Sequence, residues 1–229
     1  MSMLAAGVLG QQGSFDPYTS LPWTCFMDAD GPLMQAQGYT NLAAVTFWPD
    51  EVGNQDATNV TQPTFYTAPA ETGGRPAVRF ANSRLDQASV SALNHYTVFI
   101  VGYLYSGTNR WLDDQVNGVR VIPMLGYISN WQLFAAGGAQ QSVPMSTGFY
   151  ATRSRLGSAI TGSHSGHANG AAIYTNVNVG SGNWVGQRMG SSSGQGYCCI
   201  MAVYPGDLTA DPAWPAFQGY ISDRFGLAA

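Results

Sequence analysis

Val45-Thr46-Phe47-Trp48-Pro49-Asp50 begins a passage that runs through Gln55-Asp56-Ala57-Thr58 to Gly74-Arg75-Pro76-Ala77-Val78-Arg79-Phe80. Its first part is a short apolar strand stopped by Pro49, which has no N–H to give to a ladder. A polar Asn/Gln/Thr loop follows, and the Gly74-Arg75-Pro76 turn opens a second strand. Outward from this passage, period-2 apolar runs recur along the chain, parted by Gly, Pro, Asn or Ser clusters. That is the pattern of an all-β sandwich. It predicts strands at Thr24–Asp28, Leu42–Trp48, Ala77–Phe80, Tyr96–Tyr105, Val119–Ile128, Trp131–Ala136, Thr147–Thr152, Ala171–Val179 and Cys198–Tyr204. Tyr96 to Leu104 is apolar on both faces, which marks a central strand lying between the other sheet and a covering loop or partner. Ile173, Thr175, Val177 and Val179 alternate with Tyr174, Asn176 and Asn178, so one face there is wet. Gly157–Gly170 and Gly180–Gly196 read as long Gly/Ser loops.

The far end adds a buried strand, Cys198 to Tyr204, a turn, and one amphipathic helix. Asp211 is placed to cap that helix, Pro212 to occupy its first position, and Pro215 still falls in the tolerant first turn. Trp214, Phe217, Ile221 and Phe225 follow at spacings of 3, 4 and 4, one apolar stripe, and Gly226 is the expected left-handed terminator. The stripe should pin the helix across the sandwich, so Trp214→Ala is expected to harm folding rather than any binding site. Taken with the Trp-Pro-Asp passage, this ending resembles the concanavalin-A-like (LamG/pentraxin-type) jelly-roll domains found in bacteriophage virion proteins and bacterial surface proteins. The resemblance spans Trp23 to Leu227. It implies an antiparallel two-sheet jelly roll with a short C-terminal helix, organised as an N-terminal arm (1–14) and one domain (15–229). In such a sandwich the first and last strands are often neighbours. Cys25 could then bridge to Cys198 or Cys199, or all three could be buried reduced thiols, the reading favoured here.

Charged residues make up 10% of the chain, well below the roughly 25% usual for globular domains. All nine positive charges are Arg, and the net charge is -4 without a basic cluster, which argues against sequence-independent nucleic-acid binding. No run of 18 apolar residues offers a membrane span. Met1 to Gly10 is apolar but lacks the basic n-region of a secretory signal, so it is read as a docking arm.

Catalytic and metal signals are sparse. Jelly-roll glucanases that resemble this fold carry Glu-x-Asp-x-x-Glu on one strand, and retaining chemistry needs two carboxyls about 5–5.5 Å apart. Here the two Glu, Glu51 and Glu71, both fall in the polar loop. His164 and His167 stand at i, i+3 in a Gly/Ser loop without a third ligand. Asp28-Ala29-Asp30-Gly31 and Asp113-Asp114-Gln115-Val116-Asn117 supply oxygens of the kind calcium takes; the first is read as structural, and no metal or cofactor is assigned. Sugar binding shows as an exposed aromatic beside amide and carboxylate groups. Trp111 with Asp113, Asp114 and Asn117 is the best such cluster, and Trp184 is second.

The leading expectation is therefore a non-enzymatic virion structural protein of a tailed phage, a capsid or tail decoration subunit. It would be made in the host cytoplasm, be present in many copies or as a homo-oligomer, and dock on other virion proteins through its arm. The alternative is a carbohydrate-binding module recognising host surface glycan, on a phage receptor-binding part or a bacterial surface protein.

Overall fold

The chain forms an antiparallel sandwich whose larger sheet is covered on both faces, by a second β layer on one side and by a helix on the other. The computed structural model describes residues 15–53, 55–87, 92–105, 122–127, 130–134, 141–144, 146–160, 162–178, 188–189 and 195–229. In chain order come β1 (Cys25–Asp28), α1 (Pro32–Ala36), β2 (Phe47–Trp48), β3 (Ala57–Thr61), β4 (Thr64–Tyr66), β5 (Ala77–Ala81) and β6 (Arg84–Gln87). Then follow β7 (Tyr96–Leu104), β8 (Ile122–Tyr127), β9 (Asn130–Phe134), β10 (Gln141–Pro144) and β11 (Gly148–Leu156). The last are β12 (His164–Ala168), β13 (Ala171–Val177), β14 (Arg188–Met189), β15 (Gln195–Pro205) and α2 (Trp214–Phe225).

Among the described residues the larger sheet has eight strands in the order β13-β12-β11-β7-β15-β5-β4, with β1 also paired to β15. The opposing layer is divided into a four-stranded sheet, β14-β6-β3-β2, and a three-stranded one, β10-β9-β8. Trp48, Ala57, Leu85 and Met189 of the four-stranded sheet meet Val78, Val98, Ile100, Met201 and Val203 of the larger one, and Val143 of β10 packs on the same core. The all-β antiparallel sandwich expected from the sequence is what the chain forms.

The central strand is β7, flanked by β11 and β15 as its two-faced apolarity requires. Its second cover is partly the expected loop, Leu21 and Trp23 of the N-terminal segment, and partly α2, which together roof Phe99 and Val101. The helix itself starts later than the sequence suggested, at Trp214, with Pro215 in its first turn. Asp211 ends a preceding 3-10 turn instead: its carboxylate accepts from the Ala213 N–H at 2.8 Å and from the Tyr204 hydroxyl at 2.8 Å. Gly226 is left-handed, φ 68°, as expected.

Three stretches read as loops contain strands. The polar passage after Asp50 holds β3 and β4, Gly157–Gly170 holds β12, and Gly180–Gly196 holds β14. Leu42–Trp48 contracts to β2, because Ala44 makes only an isolated bridge to Thr64 and Leu42 is held at φ 68°. The Trp-Pro-Asp passage works as a clamp. Trp48 and Asp50 are buried, and the Asp50 carboxylate accepts from the N–H groups of Phe26 (2.8 Å), Val52 (3.2 Å) and Gln55 (3.3 Å). Burial nonetheless pushes this carboxyl above its ordinary range, against those donors. Glu51 caps α1, accepting from Leu33 N–H at 3.0 Å and Met34 N–H at 3.1 Å.

At the opposite end Asp207 ties β11 to the turn after β15. It lies 2.6 Å from Arg155 Nη1 and accepts from the Thr209 hydroxyl at 2.7 Å and the Thr209 N–H at 3.0 Å. Burial alone would raise its pKa, but those hydrogen bonds and the Arg155 charge outweigh it and hold the carboxyl below its usual range. A depressed folded pKa adds stability that is complete above the unfolded value and is lost as pH falls through the folded one. Asp207→Asn should therefore be destabilising at pH 7 and progressively less so toward pH 3, relative to wild type. Urea unfolding at several pH values checks this, and a pH-independent difference would contradict the assignment.

Candidate functional site

Strand register builds one polar-aromatic row across the helix-facing side of the larger sheet. Phe149 of β11 lies opposite Tyr103 of β7, Tyr103 opposite Tyr197 of β15, and Tyr197 opposite Arg79 of β5. Tyr197 reaches this face through a bulge. The register of β15 against β7 shifts between Cys198 and Ile200, so Cys199 and Ile200 both turn toward α2, and the parity of residues before the shift is reversed. Without that extra residue Tyr197 would point into the sandwich core.

Around Tyr197 the neighbours converge. The Tyr66 ring stands edge-on to it at 5.3 Å between centroids, and Tyr105 lies 6.4 Å away. Tyr103 and Tyr105 form a second edge-on pair at 5.1 Å. The Arg79 guanidinium sits over both Tyr66 (5.9 Å) and Tyr197 (5.8 Å), and its Nη1 donates to the Tyr66 oxygen at 3.1 Å. Glu71 completes the group from the 3-10 turn Ala70–Thr72, which Gly73 and Gly74 leave at φ 65° and 76°. Its carboxylate accepts from the Tyr105 hydroxyl at 3.1 Å. Tyr197 is buried, whereas Tyr66, Arg79, Tyr103, Tyr105 and Glu71 are all half-exposed. Burial first, then the Tyr197 hydroxyl and the Glu71 carboxylate, push the Tyr105 phenol up, so it remains a neutral donor at physiological pH.

Chemically this is a recognition surface: ring faces to stack on, a guanidinium donor, a carboxylate acceptor and several hydroxyls. Glu71 is the single carboxylate in the cluster and is engaged by Tyr105, so the pair that glycoside hydrolysis uses is not assembled there. Sequence reading missed the cluster because its members come from β4, β5, β7, β15 and a turn. The alternation Tyr103-Leu104-Tyr105 was the one local signal.

The residues singled out in the sequence fare differently. Trp111, Asp113, Asp114, Asn117 and Trp184 lie outside the described residues, as does the arm, 1–14. His164 and His167 are strand residues on β12 and face opposite sides of the sheet, which separates the pair. His164 is buried, with its ring nitrogens 3.1 Å from the carbonyl oxygens of Val177 and Gly157, while His167 sits opposite Arg153. Asp28 and Asp30 are structural, as expected: Arg224 Nη2 lies 2.8 Å from Asp28 and 3.4 Å from Asp30. Cys25 and Cys198 pack in the sandwich core and Cys199 beneath α2. All three are buried free thiols, and burial pushes each above its ordinary pKa, away from nucleophilic use. No group of three or more His, Cys, Asp or Glu suited to a metal occurs among the described residues, and no described helix is long and apolar enough to cross a membrane.

No family model matches the chain, and no curated protein sequence matches it. Solved structures do. Domain 4 of a GH43 extracellular arabinanase from Geobacillus stearothermophilus, in complex with arabinotriose, is similar with a TM-score of 0.52 at 13% identity, over 80% of this chain and 92% of that one. The ligand binding domain of botulinum neurotoxin serotype D, in complex with N-acetylneuraminic acid, is similar with a TM-score of 0.53 at 11% identity, over 87% of this chain and 51% of that one. The binding domain of Paraclostridial mosquitocidal protein 1 gives 0.53 at 9% identity, over 79% and 51%. The chain thus spans about half the length of the two toxin domains. At these identities the likeness establishes the β-sandwich fold.

Proposed function

We propose that this protein is a non-catalytic carbohydrate-binding domain, in which Tyr66, Tyr103 and Tyr105 stack on sugar faces while Arg79 and Glu71 bridge hydroxyls. The observation that carries the reading is the half-exposed aromatic row with a cation and a carboxylate set into it. Support comes from the fold: two of the similar structures were solved with a saccharide bound, arabinotriose in one and N-acetylneuraminic acid in the other. Trp111 with Asp113, Asp114 and Asn117, and Trp184, are proposed as further sugar contacts.

A glycan array with wild type, Tyr105→Ala and Trp111→Ala tests this. Binding to at least one saccharide class is expected, weakened about tenfold by Tyr105→Ala, the effect of removing one stacking and hydrogen-bonding anchor. Loss confined to Trp111→Ala would move the site to Trp111 and its neighbours, and binding to no glycan would leave the proposal without support.

The virion setting is proposed as the place of action, where such a domain would act as a receptor-binding part docked through residues 1–14, many weak copies adding avidity. Deleting 1–13 is expected to leave a folded domain that no longer enters particles. Unchanged incorporation would count against the arm.

A further inference from the structure

The end of the helix-facing sheet face away from the tyrosine row carries a second group of polar side chains. Strand β11 directs both Arg153 and Arg155 to this side, and Arg153 lies directly opposite His167 of β12. Arg155 is committed through both Nη atoms: Nη1 holds Asp207 at 2.6 Å and Nη2 donates to the Ser163 carbonyl at 2.9 Å. Asp207 is committed in turn, to Arg155 and to Thr209. Asp211, on the approach to α2, is taken by the Tyr204 hydroxyl and the Ala213 N–H.

Arg153 has no such partner. Its guanidinium carbon lies over the Trp214 ring, 4.9 Å from the centroid, and among the described residues no hydrogen bond or ion pair of its side chain is seen. Arg153 is half-exposed, and burial lowers its pKa against the opposing pull of Asp207. His167 is complementary. Its Nδ1 is buried without a partner, which leaves Nε2 of this half-exposed residue as the nitrogen able to donate to a ligand. Two guanidiniums face two carboxylates here, but Asp207 and Asp211 are both engaged elsewhere, which leaves Arg153 as the uncommitted charge. The positive end of the α2 dipole, at Trp214, adds to it.

We propose that Arg153 and His167 form a binding site for an oxyanion, with Trp214 holding the guanidinium plane in place. The guanidinium offers two parallel N–H donors and the imidazole a third, the donor set that matches a carboxylate or sulfate. This site is separate from the tyrosine row and stands or falls independently of the glycan reading. Burial first, and then Arg153, hold His167 below its ordinary pKa, so the empty site carries a neutral imidazole at pH 7. A bound anion favours the charged ring, and affinity should therefore rise as pH falls through that range. The other titratable groups facing the site are His95, similarly lowered by burial and Arg155, and Asp207, which stays ionised.

The test is NMR of the His167 ring protons during titration with sodium sulfate and, separately, sodium acetate, with sodium chloride at matched ionic strength as control. A saturable shift with sulfate or acetate is expected, tighter at pH 5.5 than at pH 7.5. Arg153→Gln should weaken it about tenfold or more, the effect of losing a charge-assisted bidentate contact. Tighter sulfate binding would identify a tetrahedral group, and tighter acetate binding a carboxylate. Should Arg153→Gln fail to fold, His167→Gln followed by calorimetry with the same salts reads the same loss. No saturable shift with either anion, an equal shift with chloride, or unchanged affinity in both variants would overturn the proposal.

Discussion

Phe217→Ala is expected to destabilise the protein by about 3–5 kcal/mol, the usual cost of removing a fully buried phenylalanine. The magnitude follows from what the ring touches. Phe217 has no exposed surface, and its centroid lies 5.1 Å from Phe99, 5.2 Å from Trp23, 5.9 Å from Trp214 and 6.3 Å from Phe26. These rings belong to the central strand, the N-terminal segment, the helix itself and β1. Such an aromatic nest cannot close around an alanine, because each ring is also fixed by its own strand or turn; Trp23, for instance, donates its indole N–H to the Pro17 carbonyl at 2.7 Å. The cavity would therefore stay open and the cavity cost would be felt in full. Thermal unfolding should show a drop of roughly 10 °C for a chain of this size. A change below about 1 kcal/mol would mean that α2 is not the true cover of the larger sheet.

That cover was half legible in the sequence. The stripe Trp214, Phe217, Ile221 and Phe225 and the two-faced apolarity of Tyr96 to Leu104 are both local patterns. Each predicted its element, but nothing in either says that the one lies on the other. The contact depends on order in the sheet, which composition does not encode. The missed strands have a different cause. Ala57-Thr58-Asn59-Val60-Thr61 and His164-Ser165-Gly166-His167-Ala168 carry few large apolar side chains, so the period-2 signal is too weak to separate them from loop. The candidate site was the least legible of all. Tyr66, Arg79 and Tyr197 are brought together by the path β4-β5-β15, and a single bulged residue decides which face Tyr197 takes. A sequence search favours clusters that are contiguous, such as Trp111 with Asp113 and Asp114, over clusters that only register can assemble.

Asp28→Asn and Arg224→Met should each cost about 3–5 kcal/mol, while the double variant costs much less than their sum. Asp28 is fully buried on β1 and the Arg224 side chain is 13% exposed near the end of α2, so the pair fastens the helix to the sheet far along the chain from where either residue begins. Both guanidinium Nη atoms contact the Asp28 carboxylate, and the Tyr18 hydroxyl donates to it at 2.9 Å. Burial opposes the Arg224 charge, but the hydrogen bonds and charge of Asp28 outweigh it and keep the guanidinium protonated beyond its ordinary range. Removing one member leaves the other charged and poorly compensated, Asp28 with neutral donors such as the Tyr18 hydroxyl or Arg224 with the Asp30 carboxylate at 3.4 Å, which is why the single substitutions are severe. Removing both takes away the attraction together with the desolvation cost it was offsetting, and these two terms nearly cancel in buried pairs. A double-mutant cycle by urea unfolding measures the difference, and a coupling of at least about 2 kcal/mol is expected. Strict additivity would show that the two groups are solvated independently. The α2 roof would then be held to β1 by packing, and the buried Asp28 would need some other source of compensation.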